Sequence, residues 1–163
     1  MWTTESIASI LENESAGITA EWLARVSQDT SLMDIPLKDA ERTEHMPQLI
    51  KDVIARLRSS QSADPKQEKL KTAQEHGRLR REQGYTAPLV VEESRALQAS
   101  LFHTLRNNLF RIDCSLAVLD MMTIADELGE QLCQNLRAFT EDFPAMPGGN
   151  RGDLGYIHYV FRL

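Results

Sequence analysis

His76 and Arg80 stand four residues apart, so on a helix they share one face, an imidazole one turn from a guanidinium. Leu70 and Ala73 precede them on that face, so an apolar stripe turns polar at its end. After Gly84-Tyr85 a second stripe runs through Val90, Glu93, Leu97 and Leu101, with a carboxylate where an apolar residue belongs. A helical hairpin turning at Gly84 brings Glu93 back to the level of His76 and Arg80. Groups of this kind, gathered away from water, do one of two things. They brace the turn as a buried polar network, in which removing one partner strands a charge. Or they line a pocket between helices, where Arg80, His76, Tyr85 and Glu93 hold an anionic or polar small molecule. A histidine in such a place can also report pH.

Other chemistry finds less support. No Gly-x-Ser-x-Gly turn and no phosphate-cradling glycine loop is present, and nothing pairs a nucleophile with a base, so no catalytic residues and no enzyme activity are expected. A carboxylate-bridged metal site needs Glu-x-x-His pairs from two helices. Glu41 and Glu44-His45 lie close together without a second set, so no metal site is expected. Haem needs a single axial histidine, and His76 or His103 could supply it, which keeps a haem-binding helical sensor as an alternative. His103, followed by Asn107-Asn108, otherwise looks like an ordinary helix residue. The cofactor, if there is one, is unknown. Lys66, Lys69, Lys71, Arg78, Arg80 and Arg81 are interleaved with Glu68, Glu75 and Glu82, the pattern of a solvated helix face.

The elements that must position these groups are almost wholly helical. Thr3 or Thr4 can cap a first helix carrying Ile7, Ile10 and Leu11; Gly17 breaks or bends it, and Thr19 can cap a second piece with Trp22, Leu23 and Val26. A short segment starts at Ile35-Pro36. Four principal helices are expected at about 46–59, 65–82, 86–110 and 113–141. Pro47, Pro65 and Pro88 suit their first turns, Thr86 a cap, and 59–64 a loop. The last helix carries Val118, Met122, Ala125, Gly129, Leu132, Leu136 and Phe139 at alternating spacings of four and three, an a/d seam, with Met121, Ile124 and Leu128 on its flank. A helix this apolar must bury two sides, either both in the bundle or one against a partner chain. Phe143-Pro144 ends it. The tail, 144–163, holds four of the eight glycines and two of the six prolines, and Tyr156–Leu163 has strand propensity.

These elements sum to an all-α domain over 1–143, a four-helix-type bundle with extra N-terminal helices, followed by an irregular tail with a short strand as one option. A chain of 163 residues suits one domain. Its net charge of −6 and pI near 5.2 argue against nucleic acid, since phosphate binding wants a basic surface. No apolar run reaches the length of a membrane span, and the N-terminus lacks the pattern of a secretory signal. Cys114 and Cys133, 19 apart in helical patterns, read as reduced thiols, and a cytoplasmic location is expected.

His76, Arg80, Gly84, Tyr85, Leu89, Glu93, Arg95 and Leu97 form an ordered set that resembles the N-terminal domain of RsbRD-type proteins, co-antagonists of the stressosome kinase RsbT. The same helical domain stands at the front of many bacterial sensor histidine kinases. The family pattern is His-x-x-x-Arg-x-x-x-Gly-aromatic, a leucine, then Glu-Tyr-Arg-x-Leu-Arg. Here Ser94 replaces the tyrosine and Gln98 the last arginine. The resemblance covers about residues 15–143, with Trp22 and the 47–57 helix fitting its layout. It implies a non-catalytic signalling input domain that senses a small ligand or partner and passes its state to an output protein, a kinase or stressosome-like component. The alternative from the residues is a helical interaction module without ligand, including a homodimer through the last helix.

Overall fold

The structure, a computed structural model, describes residues 4–59 and 66–141. The chain is all-α, with α1 Ile7–Asn13, α2 Ser15–Val26, α3 Thr30–Met33, α4 Asp39–Thr43, α5 Met46–Ser59, α6 Lys66–Glu82, α7 Ala87–Asn107 and α8 Ala117–Glu141. A 3-10 turn, Leu109–Arg111, joins α7 to α8. The tail at 144–163 and its strand lie outside the described residues.

The first helix is capped at Ser6, whose hydroxyl accepts from the Ser9 amide, not at Thr4. The break after it falls at Glu14, three residues before Gly17. Thr19 is therefore interior, and its hydroxyl bonds back to the Ser15 carbonyl instead of capping. The segment after Pro36 becomes α4, where the Glu41 carboxylate accepts from the Lys38 amide at 2.8 Å. Thr86 occupies the cap position of α7 without a side-chain bond, and Pro88 stands in its first turn. α8 starts at Ala117, four residues later than its pattern suggests, because Asp113 turns the chain onto the Ser115 amide and hydroxyl. A parallel bridge of Glu5 to Ile112, reinforced by the Arg111–Glu5 ion pair at 2.8 Å, ties the N-terminal segment to the α7–α8 connection.

The core lies between α1, α2, α5, α7 and α8. The α5 stripe of Leu49, Ile50, Val53, Ile54 and Leu57 is buried throughout, and Trp22 and Ile18 of α2 are sealed against α7. α8 contacts α5, α6 and α7, with its longest contact along α6. At that contact α6 presents Gly77. A Cβ there would stand 2.2 Å from the Asn135 carbonyl oxygen, so only glycine lets the two backbones meet. α6 and α7 hardly approach each other along their backbones. The expected hairpin is thus splayed, α6 leaning on α8 and α7 on α2, and long side chains must cross the gap between them.

The a/d seam of α8 is corrected. Ile124 and Leu128, from the flank, face the core, while Val118, Met122, Ala125 and Gly129 are exposed on the other side. Only at the far end do Leu132 and Leu136 become half-buried and Phe139 buried. Cys114 and Cys133 are exposed free thiols. Among the described residues no helix is long and apolar enough to cross a membrane.

Candidate functional site

α6 ends on a glycine turn that builds the site. Gly84 takes φ of +89°, and the Gly84 and Tyr85 amides donate back to the Arg81 and Arg80 carbonyls, both at 3.0 Å. This is the Schellman arrangement, and it folds the residue after the glycine onto the last helical turn. Tyr85 therefore lies beside Arg80, whose guanidinium carbon sits 5.1 Å from the ring centroid.

The side chains that sequence spacing singles out, His76, Arg80, Tyr85 and Glu93, converge, and all are buried. The Arg80 fork grips the Glu93 carboxylate, Nε to Oε2 at 2.9 Å and Nη2 to Oε1 at 2.7 Å. Its remaining donors reach the Gln83 side-chain oxygen at 2.7 Å, the Glu41 carbonyl at 3.4 Å and the Arg42 carbonyl at 2.5 Å. Those carbonyls belong to the last turn of α4, where a cation is favoured. Every N–H of Arg80 thus has an acceptor.

Glu93 is equally saturated. Besides Arg80, its oxygens receive His76 Nε2 at 3.2 Å and the Tyr85 hydroxyl at 3.4 Å. Its backbone carbonyl accepts from the Trp22 indole at 3.2 Å. Burial pushes the Glu93 carboxyl up, but the hydrogen bond and charge of His76 and the charge of Arg80 outweigh it and hold the group below the usual carboxylate range. Burial, then the Glu93 charge, push the Tyr85 phenol up, with Arg80 and Arg42 opposing.

Besides Gln83, two further residues that spacing does not reveal complete the network. Arg42 is fully buried. It donates to the Leu32 carbonyl at 3.1 Å, to the Ile35 carbonyl and to the Tyr85 hydroxyl, so it locks α3 and α4 onto the turn. His45, at the α4–α5 corner, meets His76 Nδ1 to Nδ1 at 3.2 Å. The ring centroids are 5.4 Å apart, about that distance plus one radius for each ring, as for rings meeting head-on. A signal for Arg42 and His45 is faint, because the short α4 has no stripe to set a buried residue against.

The geometry restricts the chemistry. A carboxylate only accepts, so His76 Nε2 carries the proton facing Glu93. A single proton then lies on the line between the two Nδ1 atoms, held by one ring or the other. Both His76 nitrogens are engaged, which leaves none for a haem iron. His103, the other haem candidate, is contacted at its ring nitrogens by Arg106 and Asn107 on the same helix. Among the described residues no group of three His, Cys, Asp or Glu could hold a metal. Two open clefts, one of about 480 Å³ lined by Arg25, Asp29, Leu32, Arg95 and Phe102 and one of about 490 Å³ by Glu12, Lys51, Ile54 and Arg58, lie elsewhere.

Comparison with known proteins returns no protein family, no curated protein and no solved structure that matches this chain. Of the eight residues that carry the RsbRD-type resemblance, His76, Arg80, Tyr85 and Glu93 meet in the buried network, whereas Arg95 is exposed and pairs with Glu92.

Proposed function

We propose that the chain is a non-catalytic input domain of a bacterial signalling system, RsbRD-like, working in the cytoplasm, whose state is read by a protein partner such as a kinase or a stressosome-like component. The proton is the stimulus that the geometry favours over a small molecule. Arg80 and Glu93 have no free donor or acceptor site, so a ligand would have to displace protein groups, whereas a proton needs no cavity.

The observation that carries this reading is the head-on pair of His45 and His76. His45 is half-buried and His76 is fully buried against Glu93, so the pair connects solvent to the ion pair. Two neutral rings share one proton; adding another charges the pair, and charging both rings breaks their bond. His45 resists that charge: burial first, then His76 and Arg80, hold its pKa below the ordinary imidazole value, with Glu44 and Glu75 opposing. α6 carries His76 one residue from Gly77, where its backbone touches α8, so a shift of the imidazole is passed to the last helix.

Trp22, bonded to the Glu93 carbonyl, supplies the readout. In a Trp2→Phe chain the Trp22 emission should change between about pH 5 and 7 while helix content stays constant, and the change should vanish in His45→Gln. An emission that is flat with pH, or one that titrates unaltered in His45→Gln, overturns the reading.

A further inference from the structure

The end of α2, the start of α3 and the middle of α7 enclose an open cleft of about 480 Å³. Small-molecule sites commonly measure about 300–1,000 Å³. Its lining is mixed. Arg25 and Arg95 supply two cations, Asp29 and Glu92 two carboxylates, and Leu32 and Phe102 apolar surface. His45, His76, Arg80 and Glu93 do not line it, so the cleft is distinct from the buried network.

We infer that this cleft binds a zwitterion, an α-amino acid with an apolar side chain. Its charges balance. A simple anion would meet both carboxylates and a simple cation both guanidinium groups, whereas a molecule carrying both charges finds a partner for each. The arginines have donors to give. Arg95 is 69% exposed and bonds Glu92 on its own helix through Nη1. Arg25 pairs with Glu21 of its own helix through Nη2 at 2.7 Å, while its Nε–H is shut off from solvent with no acceptor. An orphaned donor gains a bond when the side chain turns to an oxygen in the cleft. Partly exposed pairs within one helix contribute little to stability, so a ligand carboxylate can take over Arg95 and leave Glu92 to the ammonium. Asp29 commits Oδ1 to the Ser31 and Leu32 amides at 2.9 and 3.1 Å, which leaves Oδ2 for the same ammonium. Leu32, buried, and Phe102, half-buried, offer the ligand side chain an apolar surface. Leu32 also connects the cleft to the network. Its carbonyl accepts from Arg42 Nη1 at 3.1 Å, and Arg42 continues to the Tyr85 hydroxyl. Binding in the cleft does not require that the histidine pair act as a sensor.

Calorimetric titration of the intact chain with L-phenylalanine should give one saturable site with a Kd of about 1 mM or tighter. N-acetyl-L-phenylalanine lacks the ammonium and L-phenylalaninamide lacks the carboxylate. Each should bind at least about tenfold more weakly, as should L-phenylalanine to Arg25→Gln or Arg95→Gln, since each change removes a charge-assisted contact. The Asp29, Leu32 and Arg95 amides should move in NMR spectra, while the amide of Lys51, in the other cleft, should not. Gln98 is an exposed residue of the same lining, and Gln98→Arg adds a third cation. Succinate, a dicarboxylate, should then bind at least about tenfold better than it does to the natural chain. The absence of heat and of amide shifts at about 10 mM L-phenylalanine overturns the inference. So does equal binding of the N-acetyl compound, which would make the cleft a plain anion site, and so does binding that survives both arginine substitutions. These outcomes leave the pH response of Trp22 untouched, so failure here is distinguishable from failure of the proton reading.

Discussion

Arg80 and Glu93 are worth more as a pair than either is alone. Each is nine-tenths buried or more, and each satisfies the other through two bonds. Arg80→Met should therefore cost about 3–5 kcal/mol in urea unfolding, because it strands the Glu93 carboxylate. Arg80→Met with Glu93→Leu should recover much of that loss. A double variant as unstable as the sum of the singles would show that the pair is not coupled. Acid should also loosen this region, in two steps. His45 has a lowered pKa when folded, so the unfolded chain binds its proton first, and stability falls as pH drops from the ordinary imidazole range of about 6.5 toward the folded value. Glu93 is likewise depressed; its contribution is complete above the unfolded carboxylate value of about 4.3 and is lost as pH falls through the folded value. Urea midpoints in His45→Gln should lose the first step and keep the second. At this scale His76, Arg80 and Glu93 were legible, since a charge inside an apolar stripe is visible by spacing. Arg42, His45 and Gln83 were not, because a five-residue helix and a helix C-terminus have no period from which a buried residue departs.

Among the elements, α6 and the turn that ends it each have a glycine, and the two have different tasks. Gly84 has a left-handed backbone and open space around it, so Gly84→Ala should cost about 1–2 kcal/mol through φ alone. Gly77→Ala gains about 1 kcal/mol of helix propensity yet must push its methyl into the Asn135 carbonyl, a backbone atom that cannot rotate away. It should destabilise the chain by at least about 1–3 kcal/mol, the range of overpacked cores, and separate α6 from α8. Thermal melts that find Gly77→Ala neutral would show that the two backbones do not meet. Stripes of period 3.6 located α5 to α7 well, because each has one apolar side. They could not choose between the two apolar sides of α8. The heptad side looks like a core seam, yet the flank with Ile124 and Leu128 fills the core. Packing decides that choice: α5 and α7 approach α8 from the flank side, and no spacing within α8 encodes their direction.

For the whole molecule, the inner side of α8 is held by the bundle, with its longest contact along α6, so the last helix is the element that meets the network's helix. The central claim is that one proton, shared by His45 and His76, changes how α6 sits on α8. The most direct measurement follows the imidazole nitrogens of His45 and His76 and the Asn135 amide by NMR between about pH 5 and 8. The account predicts that both rings change over the same pH interval and that the Asn135 amide moves with them. A His45 that titrates by itself as an ordinary surface imidazole, with His76 and Asn135 unmoved, would contradict it.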